Sequence, residues 1–260
     1  MTVPNPELLA LAQIALAAGG RIMTIYNSDF AAATKADASP VTAADTEAEV
    51  IILAALALHW PHIPVIAEEQ AAAGHASQAA PSFFLVDPLD GTKEFISKNG
   101  EFTVNIARVE NGRPVAGVVY APALNEIYVG AAGLGAFTAK AAPQADAQSL
   151  SWAEISTRPR PVNGPTILAS RSHRDAETEA FIAAQGPATI INAGSSLKFC
   201  RVAQGMADLY PRFGRTMEWD TAAGHAVLAA AGGQVTQPTG APFTYGKPSF
   251  ANGPFIASGQ

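Results

Sequence analysis

The 260-residue sequence predicts an α+β fold in which mixed sheets are layered with helices. Residues 5–26 and 42–59 carry apolar side chains at helical spacing. Residues 102–138 hold strand-like runs separated by Asn-Gly, Ala-Pro and Gly turns, which is typical of an antiparallel meander. Beyond residue 165, short apolar runs alternate with helical segments, which predicts a second sheet covered by helices.

The first half is predicted to contain two helices followed by strands. Thr42 is a candidate N-cap for the second helix, which ends before Pro61. The predicted elements in order are a helix over 5–26, a helix from Thr42 to about His59, a strand over 64–67, a loop over 71–80, a buried strand over 82–86, and meander strands over 102–109, 114–120, 126–130 and 135–138.

The second half alternates strand and helix, and residues 140–164 are proline-rich with little pattern, which makes them the predicted boundary between halves. We expect one catalytic domain over 1–260, with an N-terminal half of about 1–140 and a C-terminal half of about 165–260. The predicted elements are strands over 166–169, 188–192 and 207–210, helices over 174–184, 195–205 and 220–231, and short strands near Val235 and Phe255.

Composition narrows the class of protein. The single cysteine, Cys200, excludes an intramolecular disulfide and is expected to be a core residue. The N-terminus lacks the basic and apolar regions of a secretory signal, so a cytoplasmic location is expected. A net charge of −6 argues against nucleic-acid binding. Residues 1–95 are strongly acidic, whereas 171–215 carry six Lys and Arg against four acids. The first stretch is suited to binding cations and the second to binding phosphate.

The segment Asp87-Pro88-Leu89-Asp90-Gly91-Thr92 is predicted to be a turn that follows a buried strand. Two carboxylates three residues apart, with the Leu89 carbonyl, form an oxygen-only cluster of the kind that binds Mg²⁺. Thr92 is expected to open a short helix whose free N–H groups face the same place. The alternative is an ordinary Asp-Gly turn with a capping threonine.

Three further acids are candidates for the same site. Glu68 ends one predicted strand, and Asp220 begins a late helix. Asp220 has the alternative role of an N-cap, and Thr42-x-x-Asp45 resembles a capping box.

In combination these segments resemble the inositol monophosphatase superfamily, whose members are Mg²⁺-dependent phosphatases. The resemblance rests on Glu68-Glu69, on 87–92 and on Trp219-Asp220-Thr221-Ala222-Ala223-Gly224, with 35–45 near the front. It is closer to the bacterial 3'(2'),5'-bisphosphate nucleotidases, through 87–96, 99–106, 194–199 and 210–214. It implies a layered αβαβα sandwich and hydrolysis of the 3'-phosphate of adenosine 3',5'-bisphosphate to AMP, a by-product reaction of sulfate assimilation.

The resemblance also implies roles for individual residues. Glu68, Asp87 and the Leu89 carbonyl hold one Mg²⁺, and Asp87, Asp90 and Asp220 hold a second. A third, weaker ion near Glu68 is possible. Asp45 and Thr92 orient the attacking water, with Asp45 as proton acceptor, and Glu68 belongs to the same catalytic group. The implied substrate contacts are Glu68, Leu89, Asp90, Gly91, Thr92, His173, Ser195, Lys198, Arg212 and Asp220.

Two rival functions stay open from the sequence. One is an inositol monophosphatase or another sugar phosphatase of the same superfamily, because substrate choice varies on one fold. The other is a non-catalytic metal- or nucleotide-binding protein. The expected partner is a phosphorylated nucleotide, with no nucleic acid, and the expected state is a monomer or homodimer. Relatives imply weak peripheral association with the cytoplasmic face of the inner membrane.

Overall fold

A computed structural model describes residues 3–34, 40–75, 77–170 and 175–260. The helices are α1 (Pro6–Tyr26), α2 (Ala43–His59), α3 (Glu68–Ala72), α4 (Thr92–Ile96), α5 (Ala176–Ala184), α6 (Leu197–Ala203) and α7 (Glu218–Ala230). The strands are β1 (Ala32–Thr34), β2 (Pro40–Thr42), β3 (Val65–Ala67), β4 (Ser82–Asp90), β5 (Thr103–Glu110), β6 (Arg113–Ala121), β7 (Glu126–Ala131), β8 (Gly135–Lys140), β9 (Ala153–Ile155), β10 (Thr166–Ala169), β11 (Thr189–Asn192), β12 (Leu209–Arg212), β13 (Thr216–Met217), β14 (Gln234–Thr236), β15 (Ala251–Asn252) and β16 (Phe255–Ser258).

Two sheets dominate the fold. The larger has seven strands in the order β3-β4-β5-β6-β7-β8-β9, and it is antiparallel except that β3 pairs in parallel with β4. The smaller has five strands in the order β11-β10-β12-β16-β14. The predicted meander over 102–138 is therefore confirmed as β5 to β8.

Helices cover both faces of the large sheet. Helices α1 and α2 pack on one face against apolar side chains such as Phe84, Ile106 and Val118. The opposite face shares a core with α6, α7 and the inner face of the five-stranded sheet. Helix α5 covers the outer face of that sheet through Ile182. The order of layers is helix, sheet, helix, sheet, helix, so the predicted αβαβα sandwich is confirmed.

Helix α7 lies unusually close to the large sheet because two strand positions lack a side chain. A Cβ on Gly117 of β6 would lie 2.8 Å from the Ala223 carbonyl oxygen, and one on Gly130 of β7 would lie 2.8 Å from the Val227 Cα. Any side chain there would push the helix away from the sheet. This close packing brings the first turn of α7, with Asp220, to the strand ends that carry the other acids.

The structure corrects four boundaries. Strand β4 continues through Asp87 and Pro88 to Asp90, because pairing with β5 resumes at Asp90–Thr103 after a register shift. The loop predicted over 71–80 begins inside α3, and the patternless 140–164 contains β9, which joins the large sheet. Helix α7 begins at Glu218, so Asp220 is its third residue rather than its first.

Helix α1 is the one helix in the described part of the chain with the length and hydropathy of a membrane span. It packs against α2 and the large sheet, and 61% of its most apolar window is buried. These are properties that it shares with the core helices of soluble proteins.

Candidate active site

The acidic residues meet at one end of the large sheet. Ala67 pairs in parallel with Val86, so Glu68, just beyond β3, and Asp87, within β4, follow this pair on adjacent strands. Asp87 is buried, and its Oδ1 accepts a hydrogen bond of 3.0 Å from the Leu89 N–H, which fixes the local turn of the chain. The register shift after Asp87 lets Asp90 return to the same side.

Helix α7 delivers the fourth acid. Asp220 Oδ2 accepts a hydrogen bond of 2.7 Å from the Met217 N–H, which caps the helix from its third position. The capping role that the sequence left open for Asp220 therefore exists, although Met217 occupies the N-cap. Only one carboxylate oxygen is used by this cap, which leaves the second for another ligand.

Burial and like charge both disfavour ionisation of these acids. Burial raises the pKa of Asp87 well above its usual range, and the charge of Glu68 raises it further. Burial likewise raises the pKa of Asp220, followed by the charge of Asp90. The pKa of Asp90 is also raised by burial, against the lowering effect of the Lys198 ammonium. A cation among these carboxylates would relieve the repulsion.

The donor set suits a hard cation. Carboxylate and carbonyl oxygens are the ligands that Mg²⁺ takes, and it keeps several waters beside one or two carboxylates. In the ranges that the structure describes, no three acidic, His or Cys side chains are arranged to hold one ion by themselves. The residues therefore fit a site that water and phosphate oxygens complete rather than a closed protein cage.

Asp45 and Thr92 lie together, as the resemblance implied. Thr92 Oγ1 donates to Asp45 Oδ1 over 3.1 Å and lies 3.4 Å from the Leu89 carbonyl oxygen. Asp45 Oδ2 accepts 2.8 Å bonds from both the N–H and the hydroxyl of Thr42. The capping box and the contact with Thr92 therefore coexist on one buried carboxylate.

Gly91 is required where α4 begins. Its φ of +92° is in the left-handed region, and a Cβ there would lie 2.3 Å from Ser195 Oγ. The Ser195 hydroxyl lies 2.9 Å from the Asp90 carbonyl oxygen and 2.8 Å from that of Glu101. Ser195 thus holds two loops together, and its predicted contact with substrate stays a prediction.

Two buried polar residues that the sequence analysis included only within longer segments connect the acids. Asn105 Nδ2 donates to Ser196 Oγ over 3.0 Å and lies 3.5 Å from Asp90 Oδ2. Ser196 Oγ donates to the Asp220 carbonyl oxygen over 2.7 Å. Asn105 is a polar residue inside the apolar strand β5, and that contrast is the signal that could have identified it.

A cleft of about 250 Å³ is lined by both acidic and basic side chains. Its acids include Glu68, Asp90 and Asp220, and its bases include Lys198, Arg212 and Arg215. Arg215 was noticed in the sequence only as part of a basic stretch. His173, a predicted substrate contact, lies in 171–174 and therefore outside the described residues.

Lys198 is more enclosed than the sequence suggested. Its Nζ donates to the Ser195 carbonyl over 2.7 Å and to the Ala193 carbonyl over 3.2 Å. Burial lowers the pKa of this ammonium to about 8. Lys198 therefore shapes the loop before α6 and places positive charge beside Asp90. Arg212 Nε donates to the Gly214 carbonyl over 3.3 Å at the cleft wall.

Two buried residues near the site have a structural role. Cys200 is fully buried in α6, and burial raises the pKa of its thiol, as expected of an inert core cysteine. His225 packs inside the protein, with its Nδ1 3.0 Å from the Tyr245 hydroxyl. Burial lowers the pKa of this imidazole to about 4.

Comparison with known proteins agrees with the fold and the motifs. The inositol monophosphatase family profile matches residues 5–258. A protein of Escherichia coli O6:H1 named 3'(2'),5'-bisphosphate nucleotidase CysQ is 45% identical over 254 residues, which cover 95% of this chain and 97% of the relative. A Buchnera aphidicola protein of the same name is 41% identical, over 95% of this chain and 92% of the relative.

Solved structures show the same relationship. The crystal structure of CysQ from Bacteroides thetaiotaomicron superposes with a TM-score of 0.81 at 39% identity, over 97% of each chain. An inositol monophosphatase from Anabaena superposes with a TM-score of 0.74 at 25% identity, over 97% of this chain and 90% of that one. The predicted family is confirmed: the chain belongs to the inositol monophosphatase family.

Proposed function

We propose that the chain is a Mg²⁺-dependent 3'(2'),5'-bisphosphate nucleotidase that releases the 3'-phosphate of adenosine 3',5'-bisphosphate and leaves AMP. The observation that carries the proposal is the cleft, whose lining combines acids of the candidate metal site with basic side chains. A substrate with two phosphates needs one end where a phosphoester reacts and another where a second phosphate binds. Relatives at 41–45% identity that bear this name support the choice of substrate.

The acids would hold the metal as the resemblance implies. Glu68, Asp87 and the Leu89 carbonyl would hold one Mg²⁺, and Asp87, Asp90 and Asp220, completed by water and phosphate oxygens, would hold a second, with a third and weaker ion near Glu68. Bound there, the metal lowers the pKa of a water and stabilises charge on the phosphoryl oxygens and the leaving ribose oxygen. Burial and mutual repulsion raise the pKa of Asp87 and Asp220, which supports this assignment because a cation bound between the carboxylates would offset both effects.

The chain's own groups would handle the water and its proton. Asp45, whose Oδ1 lies 3.1 Å from Thr92 Oγ1, would accept the proton from the attacking water. The Thr92 hydroxyl orients that water, and the backbone N–H groups of Gly91 and Thr92 hold phosphoryl oxygens. The water oxygen then bonds to phosphorus as the bond from phosphorus to the 3'-oxygen breaks. The 3'-oxygen takes a proton from solvent and leaves as the ribose hydroxyl, and Asp45 returns its proton to solvent.

The basic side chains of the cleft would bind the phosphate that does not react. Arg212 and Lys198 are the predicted contacts, and Arg215, which lines the same cleft, joins them. Because the Lys198 ammonium already donates to two carbonyl groups, we assign the larger share of phosphate binding to the two arginines. Ser195 and His173 stay predicted substrate contacts.

A phosphate-release assay tests the proposal. With Mg²⁺ present, adenosine 3',5'-bisphosphate should be hydrolysed with a higher kcat/KM than inositol 1-phosphate, and EDTA should abolish both reactions. Faster turnover of inositol 1-phosphate would assign the chain to the sugar phosphatases of the family. No phosphate release from either compound would favour a non-catalytic binding protein.

Domain organisation, location and oligomeric state are proposed as the sequence predicts them. We propose that the whole chain acts as one catalytic domain, because the core on the α7 side joins residues of both sheets. A cytoplasmic location, a monomer or homodimer and weak peripheral membrane contact stay predictions. Sedimentation at two ionic strengths and flotation with vesicles would test the last two.

A further inference from the structure

Helix α3, whose first residue is Glu68, begins without a side-chain cap of its own. Its N-cap is Ala67, which has no side chain able to accept a hydrogen bond from the first turn. The first N–H groups of a helix need acceptors, especially where the helix start is packed against other elements. A partner from elsewhere in the fold supplies them.

That partner is Glu49, which lies on α2 one turn after Asp45. Its Oε2 accepts a 2.8 Å hydrogen bond from the Glu69 N–H, and its Oε1 accepts a 3.0 Å bond from the Gln70 N–H. Only 4% of Glu49 is exposed, so both bonds are shielded from water. A carboxylate that accepts two backbone N–H bonds at a helix start is strongly held, because the acceptor is charged and the helix end is partly positive.

The bond to Glu69 acts directly on the preceding residue. The Glu69 N–H and the Glu68 carbonyl belong to one planar peptide unit, so fixing this N–H fixes the backbone on the C-terminal side of Glu68. The parallel pairing of Ala67 with Val86 fixes the other side. The Cα of Glu68 is therefore held from both directions beside Asp87.

Helix α2 thus supports two parts of the site with one face. Asp45 and Glu49 are four residues apart, and both are buried. Asp45 holds Thr92 at the start of α4, and Glu49 holds the start of α3. Two like charges at this spacing oppose helix formation by about 0.2–0.5 kcal/mol. Helix α2 tolerates both carboxylates because each one accepts hydrogen bonds from N–H or hydroxyl donors.

We propose that Glu49 is a positioning residue, which sets the place of the Glu68 carboxylate in the metal site through the first turn of α3. The inference rests on the proposed function, since it assumes that Glu68 binds metal. Groups that orient metal ligands typically change metal affinity by 10- to 100-fold when they are mutated. Glu49→Gln keeps the length of the side chain but replaces one acceptor with an amide donor that faces an N–H group.

Manganese binding without substrate tests the proposal directly. Free Mn²⁺ is measured by electron paramagnetic resonance as it is added to the purified full-length protein, well below its Tm. We expect Glu49→Gln to weaken Mn²⁺ binding about tenfold or more. The matched control is Glu47→Gln, which makes the same change two residues away at a partly exposed ion pair with Arg21 and should leave affinity within twofold.

The possible outcomes separate the two claims. Wild-type affinity in a folded Glu49→Gln protein would overturn the positioning role while leaving the proposed function intact. No Mn²⁺ binding by the wild-type protein would overturn the proposed function, and this inference with it. If Glu49→Gln does not fold, the same titration of Glu49→Asp decides, because the shorter carboxylate cannot keep both bonds. Unchanged affinity there would also contradict the proposal.

Discussion

The contact between Thr92 and Asp45 gives the most specific prediction for catalysis. Replacing Thr92 with Val keeps the shape of the side chain and removes the hydroxyl that donates to Asp45 Oδ1 over 3.1 Å. Asp45 Oδ2 stays held by the two 2.8 Å bonds from Thr42, so the carboxylate keeps its place. The change therefore removes one orienting group and leaves the capping box intact.

The size of the effect follows from the kind of bond. A hydrogen bond to a charged group is worth about 1.5–3 kcal/mol, and each 1.36 kcal/mol is a factor of ten in rate. If the bond matters only while the water is being activated, kcat should fall by about 10- to 150-fold. The KM for adenosine 3',5'-bisphosphate should stay within about twofold, because a change confined to the transition state leaves ground-state binding alone.

Initial rates of phosphate release over a range of substrate and Mg²⁺ concentrations measure both constants. Thr46→Val is the control. Thr46 lies on α2 next to Asp45, and its hydroxyl donates to the nearby Ala43 carbonyl in an exposed position. A kcat for Thr92→Val within twofold of the wild-type value would refute the assigned role. A loss confined to KM would refute it too, because it would place Thr92 in substrate binding alone.

Three further predictions use other parts of the structure. Because burial and like charge raise the pKa of the site carboxyls, the folded metal-free protein binds extra protons, and its Tm should fall as pH rises above the ordinary aspartate range. Each Mg²⁺ ion bound at a hundred times its Kd should add about 2.7 kcal/mol, or roughly 5–10 °C at this chain length, and the pH slope should vanish. Equal slopes with and without Mg²⁺ would contradict the cluster. Arg215→Gln should raise the KM for adenosine 3',5'-bisphosphate about tenfold or more and leave that for adenosine 3'-monophosphate unchanged, and equal effects on both would disprove a role in binding the second phosphate. Gly224→Ala places a methyl group 2.5 Å from the Phe199 ring and should cost about 1–3 kcal/mol in urea unfolding, whereas Gly253→Ala, with open space around it, should be neutral; similar values for the two would contradict the close packing of α6 against α7.

The sequence predicted most of the fold because its elements have strong local patterns. The helix over 5–26 and the strand over 166–169 match α1 and β10 closely, since apolar periodicity and flanking breakers define both. Strand β4 was predicted too short, because Pro88 and Gly91 indicate a turn while pairing with β5 resumes only at Asp90. A register shift depends on the partner strand, and local pattern does not contain that information.

Site residues that belong to a sequence motif could be predicted. Residues that act through tertiary contacts could not. Glu68, Asp87, Asp90 and Asp220 stand in recognisable segments, so they could be named before the fold was known. Glu49 could not, because its partners are backbone N–H groups twenty or more residues away on another helix. Asn105 and Ser196 lie in segments that carry the resemblance, but the bonds by which they join the acids run between separate elements and are not contained in the local sequence.

The central claim is that these separated acids meet to bind divalent metal. Anomalous diffraction from crystals grown with Mn²⁺ tests it most directly. We predict two anomalous peaks roughly 4 Å apart. One should contact Glu68, Asp87 and the Leu89 carbonyl, and the other should contact Asp87, Asp90 and Asp220. Crystals with ordered manganese elsewhere and none among these carboxylates would contradict the account.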